Sequence, residues 1–171
     1  LSSTLDDLED ARRAVKEVLG GQYAVVESYE ADPRPLWESC VADVASCAIY
    51  VGIVGLRYGF VPPEQGKSIT ELEFDAALAA RLPCYVFVRD ADAIPASRTD
   101  LYTKENDPAL IEAFRVRLSS GANEIPRPAR FTTADDLKVK VLKALQRQPG
   151  QGAAGPAVDG SSPEAPQPDA A

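Results

Sequence analysis

The acidic residues are the candidates for acid–base chemistry, because the sequence contains no histidine. Glu73 stands out among them. It lies on a predicted helix that begins at Ser68, and at about 100° per residue it falls about 40° from Ile69, inside an arc of apolar side chains. A carboxylate buried there loses hydration, a cost that helix N–H groups, a cation or a ligand can offset. The position indicates a functional site. The alternatives are a structural pair with an arginine such as Arg57 or Arg12, or a side chain that reaches solvent at the edge of the arc.

Other side chains of the same predicted helix receive different roles from the same geometry. Glu71 and Asp75 fall toward solvent, so we expect surface charges, with Glu71 able to form a capping box with Ser68. Phe74 and Leu78 lie off the apolar arc and one helical turn apart. They are candidates for an interface with another protein chain, but the geometry favours cover by a neighbouring loop.

Two residues that follow a buried apolar segment bring further chemistry to the same region. Arg57 and Tyr58 come after residues 48–54, whose nearly continuous apolar character is typical of a strand covered on both faces. We expect both at the crevice that contains Glu73, where an arginine can bind a phosphate or carboxylate and a tyrosine ring can stack on a base. A salt bridge and an anchoring aromatic side chain are the alternative.

The composition narrows the classes of partner and site. The 171-residue chain has Lys+Arg 18 and Asp+Glu 26, a formal net charge of -8, which disfavours nucleic acid and anionic membrane surfaces as partners. Its three cysteines are too few and too irregularly spaced for a disulfide framework or a zinc site, so no metal is expected. No apolar segment approaches the roughly 20 residues of a membrane span, and the first residues lack a signal-peptide pattern. We expect a cytoplasmic protein.

Apolar periodicity and turn residues predict an alternation of helices and strands. Because parallel neighbouring strands need crossover connections, this order predicts an α/β protein with a doubly wound parallel sheet. Helices are predicted from Ser3 or Thr4 to 19, over 36–45, over 68–81, from 107 to about 118 and over 133–146, and strands at 23–27, 48–54, 84–88 and around Phe131.

The two ends of the chain carry separate expectations. In the common five-strand order 2-1-3-4-5 the first strand is central, yet only Leu1 and Ser2 precede the first predicted helix. We therefore expect the first strand to be largely missing from this sequence and upstream residues to complete the sheet. Residues 148–171 are rich in proline, glycine and alanine and lack a periodic apolar face. We expect one domain over 1–147 and a disordered tail or linker over 148–171.

A set of motifs occurs in order along most of the chain, to about Leu145: Leu1-Ser2-Ser3-Thr4, Asp7-Leu8, Arg12, Ile49-Tyr50-Val51-Gly52-Ile53, Arg57-Tyr58-Gly59, Ser68-Ile69-Thr70-x-x-Glu73-Phe74, Phe131 and Asp136-Leu137. Together they resemble a TIR-like family that carries a domain-of-unknown-function name. Members occur at the N-termini of proteins with NACHT-type ATPase, tetratricopeptide or WD repeats. The resemblance implies a three-layer, flavodoxin-like fold and a place in a larger multidomain protein.

The resemblance also implies roles for individual residues. TIR-like and nucleoside deoxyribosyltransferase-like folds place a glutamate on the helix after the third strand, and Glu73 occupies the matching position. In catalytic members that glutamate acts on the ribose while an N-glycosidic bond is cleaved, often in NAD. The residues expected to bind such a ligand are Ser2, Ser3, Thr4, Arg57, Tyr58, Ser68 and Thr70.

Two functional hypotheses follow. The first is a TIR-like signalling or adaptor module that binds protein partners or itself through Phe74 and Leu78, and whose pocket senses a nucleotide or has lost its function. The alternative is an enzyme, a nucleotide N-glycosidase that hydrolyses NAD with Glu73 as the catalytic group. No resident cofactor is expected, and NAD or another nucleotide would be ligand or substrate.

Overall fold

The computed structural model describes residues 1–27, 32–93, 107–122 and 124–147, and the predicted tail at 148–171 lies outside them. Within the described part, two helices come first, strands and helices then alternate, and a short 3-10 helix, Ala91–Ala93, follows the second strand. The helices are α1 (Glu9–Leu19), α2 (Leu36–Ser46), α3 (Ile69–Ala79), α4 (Pro108–Ser119) and α5 (Ala134–Gln146), and the strands are β1 (Tyr50–Val54), β2 (Cys84–Arg89) and β3 (Ala129–Phe131).

The three strands form a parallel sheet in the order β1-β2-β3. On the other edge of β1, Ser2 makes a parallel bridge with Gly52. The Ser2 N–H donates to the carbonyl of Val51 at 2.9 Å, and the Ser2 carbonyl accepts from the N–H of Ile53 at 2.9 Å. In the flavodoxin-like strand order, Ser2 thus lies where the first strand lies, and β1 to β3 are the third to fifth strands.

Helices cover both faces of the sheet, which confirms the expected α/β architecture. The first face carries α1 and α5, and the second carries α2, α3 and α4. Alternate side chains of β1 serve the two cores, because successive residues of a strand point to opposite faces. Val51 and Ile53 belong to the first core, whereas Tyr50 and Val54 belong to the second.

Glycine at position 52 leaves space for the ring of Tyr50. A Cβ atom built on Gly52 would lie 2.7 Å from Cε1 and 3.0 Å from the hydroxyl oxygen of Tyr50. The Tyr50 ring is buried and packs against Phe74, with the ring centroids 6.1 Å apart, so it has little freedom to move away. The glycine therefore lets the Tyr50 ring lie over the backbone of β1 at residue 52, the residue that Ser2 bridges.

The N-terminal region differs from expectation at two places. The first helix begins at Glu9 instead of Ser3 or Thr4, because the Thr4 hydroxyl donates to Oδ1 of Asp7 at 2.5 Å within a turn and does not cap a helix. The strand predicted at 23–27 does not form in the described part of the chain. There the amino group of Leu1 donates to the carbonyl of Val26 at 3.0 Å.

The acidic residues expected on the surface of α3 take part in buried contacts. Glu71 is 8% exposed and accepts hydrogen bonds from the Tyr58 hydroxyl at 2.7 Å and from Nη1 of Arg117 at 2.8 Å. Asp75 forms ion pairs with Arg117 at 2.5 Å and with Lys67 at 2.6 Å. The prediction of plain surface charges is therefore wrong, because α4 packs on this side of α3 and brings Arg117 with it.

The interface predicted through Phe74 and Leu78 is also wrong. Phe74 is 1% exposed, and its ring meets the ring of Phe114 edge-on at 6.0 Å. The guanidinium of Arg117 lies 5.5 Å from the same ring centroid. Leu78 is partly buried against the same core. Helix α4 covers the face that the spacing assigned to another chain.

We expect Phe74→Ala to lower the free energy of unfolding by about 3–5 kcal/mol, because it removes a fully buried ring and the side chains of α4 cannot fill the space. Urea denaturation followed by circular dichroism measures the change. The matched control is Leu142→Ala on α5, where the side chain is 46% exposed and the loss should stay below about 1 kcal/mol. Equal losses in the two variants would contradict the placement of Phe74 in the core.

Candidate functional site

Glu73 is held at the side of α3 that faces the N-terminal segment. Ser68 caps the helix, because its hydroxyl accepts a hydrogen bond from the N–H of Glu71 at 3.3 Å. One turn further on, Oε2 of Glu73 accepts a hydrogen bond from the Ser2 hydroxyl at 2.5 Å. Ser2 is 3% exposed and is fixed by its bridge to Gly52. The sheet therefore sets the position of the carboxylate through a single short side chain.

The environment of Glu73 shifts its protonation. Burial raises the pKa of this carboxyl to about 6, while the hydrogen bond from Ser2 and the positive charges of the Leu1 amino group and of Arg12 act in the opposite direction. Burial also raises the pKa of Tyr50, with a further contribution from the negative charge of Glu73, whereas a hydrogen bond with Ser2 lowers it. The side chains of Tyr50, Ser2 and Glu73 thus form one coupled group.

Glu73 lines a cavity of about 420 Å³. The walls come from the N-terminal segment, α1, α2, the loop after β1 and the start of α3. Cys40 and Ile69 contribute apolar wall, and Phe60, with 63% of its surface exposed, lies at the rim. Polar groups converge on the same space from Ser3, Thr4, Arg12, Glu27, Arg57 and Thr70. An apolar cavity with convergent polar groups is typical of small-molecule sites.

Two arginines supply positive charge to the cavity wall. Arg12 is 6% exposed, donates from Nη1 to the Ser3 hydroxyl at 2.7 Å and forms an ion pair with Glu27. Arg57 lies 3.5 Å from a carboxylate oxygen of Asp6, whose side chain is 77% exposed. The Arg12 pair is desolvated and fixed. In the pair at Arg57 the arginine side chain is 18% exposed, and only the Asp6 carboxylate is mostly open to solvent.

The structure brings most of the predicted ligand-binding residues together. Ser3, Thr4, Arg57 and Thr70 line the cavity with Glu73, and Ser2 supports Glu73 from behind.

Ser68 and Tyr58 do not line this cavity, which corrects the prediction for both. Ser68 is 0% exposed because its hydroxyl caps α3. Tyr58 is 4% exposed because its hydroxyl donates to Glu71, and burial raises the Tyr58 pKa to about 12. The aromatic ring that faces the cavity is that of Phe60, two residues further along the same loop.

Sequence reasoning missed the site roles of Arg12 and Phe60. A signal for Arg12 was present, since it lies on the face of α1 that carries the buried residues Leu8 and Val15. An arginine among the apolar side chains of a helix indicates a buried charge, as Glu73 does on α3. Phe60 gave no such signal, because a loop aromatic without periodic neighbours can point either way. The direction of the Phe60 side chain depends on the turn at Gly59, whose φ is +88°.

Asp7 shapes the turn that presents Thr4. Its carboxyl is 5% exposed, accepts from the Thr4 hydroxyl at 2.5 Å, and has its pKa raised by burial. A Cβ atom on Gly55 would lie 2.3 Å from Oδ2 of Asp7, so glycine after β1 is required for this approach. The turn, and hence the wall of the cavity, depends on a close fit between the start of the chain and the end of β1.

Metal clusters and membrane-spanning helices are absent from the described residues. They contain no group of three or more histidine, cysteine, aspartate or glutamate side chains arranged to hold a metal ion. None of the helices described combines the length and apolar character needed to cross a membrane.

Fold and cavity together define a three-layer, flavodoxin-like α/β protein with a small-molecule-sized pocket beside the sheet. The sequence profile described as Domain of unknown function (DUF4062) matches residues 1–146, and the chain belongs to this family. No match to the chain was found among curated proteins or among solved structures.

We expect Glu73→Gln to stabilise the protein by about 1–2 kcal/mol at pH 7.5, because the raised pKa means that the buried carboxylate destabilises the folded state. This cost is complete above the folded pKa of about 6 and disappears as the pH falls toward the ordinary value of 4.5. Urea denaturation at several pH values should therefore show the advantage of the variant shrinking from pH 7.5 to pH 4.5.

The matched control for this series is Glu112→Gln on α4, where the glutamate is exposed and does not line the cavity. Its stability difference from the wild type should stay within about 0.5 kcal/mol at every pH. An advantage of Glu73→Gln that is constant with pH would contradict the desolvation of the carboxylate.

Proposed function

We propose that this chain is a TIR-like nucleotide-binding module of a larger cytoplasmic signalling protein, and that the cavity at Glu73 takes the ribose of the nucleotide. The observation that carries the proposal is the state of the Glu73 carboxylate. Its Oε2 is occupied by Ser2, while Oε1 has no hydrogen bond from the described residues at the wall of the cavity. A carboxylate oxygen that lines a cavity without such a hydrogen bond is suited to accept hydrogen bonds from the hydroxyl groups of a sugar.

The rest of the cavity matches the other parts of a nucleotide. Arg57 lines the cavity, and its guanidinium is suited to bind a phosphate oxygen. Thr4 and Thr70 add hydroxyl groups, and the exposed ring of Phe60 offers a surface on which a base can stack. The volume of about 420 Å³ is within the range of small-ligand pockets.

Two features support the cytoplasmic setting and the signalling role. The cysteines Cys40, Cys47 and Cys84 are free thiols, as in proteins of reducing compartments. The resemblance to TIR-like N-terminal modules supports a role in which occupancy of the cavity informs attached domains. Self-association through Phe74 and Leu78 is not part of the proposal, because α4 covers that face.

The alternative is hydrolysis of NAD, and the raised pKa of Glu73 favours it. With a pKa of about 6 the carboxyl is mostly ionised at neutral pH, yet it lies in a desolvated place where a negative charge interacts strongly with developing oxocarbenium character. The bond between the ribose anomeric carbon and the nicotinamide nitrogen would break, with its electron pair leaving on nicotinamide. Water would supply the hydroxyl group and release a proton, giving ADP-ribose.

Calorimetric titration with NAD, ADP-ribose and ribose 5-phosphate tests the binding proposal. We expect all three to bind, and Glu73→Gln to weaken each by about tenfold or more through the loss of a charged acceptor. Phe60→Ala should weaken NAD and ADP-ribose while leaving ribose 5-phosphate unchanged, because the last has no base. Glu112→Gln is the control that keeps wild-type affinity. Failure of the wild type to bind any of the three would overturn the proposal.

Release of nicotinamide, followed by chromatography, separates module from enzyme. Turnover by the wild type that is lost in Glu73→Gln and kept in Glu112→Gln supports the N-glycosidase. Binding of NAD without turnover supports the sensing module.

A further inference from the structure

A second surface lies on the far side of the sheet from Glu73. It is a groove of about 900 Å³ that runs from β2 past the start of β3 to the C-terminal half of α5. Since Ser2 and the cavity lie beyond β1, and β3 is the opposite edge of the described sheet, the two surfaces are separated by the sheet itself. Nothing in the proposed function uses this groove.

Positive charge is concentrated at the groove. Five of the chain's 18 basic residues line it, in a protein whose formal net charge is -8. Two of them are paired in the described structure, Arg130 with Asp90 at 3.1 Å and Lys140 with Asp136 at 2.7 Å. The other three have no ion pair within the described residues. These five residues, which define the basic groove, are Arg127, Arg130, Lys140, Lys143 and Arg147.

The floor of the basic groove is apolar. Tyr85, Ala129 and Ala144 line it and remain partly exposed, although each also packs against the first core. A rim of cations around an apolar floor suits a ligand that carries both acidic and apolar groups. A bare phosphate would pair with the basic residues of the rim but would leave the apolar floor exposed to water.

We propose that the basic groove is a docking site for an acidic peptide segment of a protein partner, one that places apolar side chains on the floor and carboxylates at the rim. Charge complementarity identifies the class of occupant. The overall charge of -8 repels a long polyanion such as nucleic acid, whereas a short peptide interacts mainly with charges within the screening length of about 10 Å. Alternation of acidic and apolar residues in an extended peptide presents the two kinds of side chain on opposite sides.

Fluorescence anisotropy with the full chain tests this assignment. The probe is a labelled peptide of about ten residues that alternates glutamate and valine, an extended segment of the kind that docks in such grooves. Two peptides of equal length serve as comparisons, one alternating glutamate with glycine and one alternating lysine with valine. A single-stranded DNA of matching charge is the fourth probe. We expect the glutamate–valine peptide to bind most tightly and the lysine peptide not to bind.

Lys143→Glu and Arg13→Glu make a matched pair of variants, because both positions are exposed on helices and the charge change is identical. Lys143→Glu should weaken the glutamate–valine peptide by about tenfold, and Arg13→Glu, outside the groove, should change it less than about twofold. Thermal unfolding of both variants confirms that they are folded. The nucleotide titrations at Glu73 should be unchanged in both, which separates this proposal from the previous one.

Three results would overturn the proposal. The first is absence of binding by the wild type to the glutamate–valine peptide. The second is equal affinity for that peptide in Lys143→Glu and in the wild type. The third is DNA that binds as tightly as the peptide, because the groove would then attract any polyanion and the apolar floor would contribute nothing.

Discussion

The hydrogen bond from Ser2 to Glu73 connects the start of the chain, the sheet and α3 in one contact. Ser2 reaches the carboxylate because two backbone hydrogen bonds fix it beside Gly52, and Gly52 in turn leaves space for the ring of Tyr50. Without this donor, the carboxylate would lose the hydrogen bond that offsets part of its desolvation cost, and its pKa would rise further. The geometry of the cavity depends on this contact, because the residues that follow Ser2 form one of its walls.

The remaining structure sets the electrostatic character of that contact. Burial disfavours the ionised form of Glu73 and raises its pKa. The positive charge of Arg12, which forms a fixed ion pair with Glu27, lowers this pKa and limits the shift. On the other side of α3, Glu71 accepts hydrogen bonds from Tyr58 and Arg117 and belongs to the packing between α3 and α4. Two glutamates two residues apart thus lie in different surroundings: Glu71 fixes α3 against α4, and Glu73 accepts a hydrogen bond from Ser2 and lines the cavity.

Much of the architecture could be predicted from the sequence, because strands β1 and β2 are continuous apolar segments and α3 and α5 begin at side-chain caps. Glu73 could be found because its carboxylate falls among apolar neighbours. The surroundings of α3 could not be predicted from the sequence, because the helix contacts the sheet, α2 and α4 together. The angular positions of residues on one helix do not tell which neighbour covers each of its faces. That Phe60 and not Tyr58 lines the cavity could not be predicted for a similar reason. Tertiary contacts orient loop side chains, and a loop has no sequence periodicity that indicates their direction.

The most direct test of the account is a measurement of the pKa of Glu73 itself. Carbon-13 NMR of the side-chain carboxyl carbon, assigned by the loss of its signal in Glu73→Gln, gives the titration midpoint of this one group. We expect a midpoint of about 6, because burial beside Ser2 disfavours the charged form. A midpoint at the ordinary value of 4.5 would show a solvated carboxylate and would contradict the site.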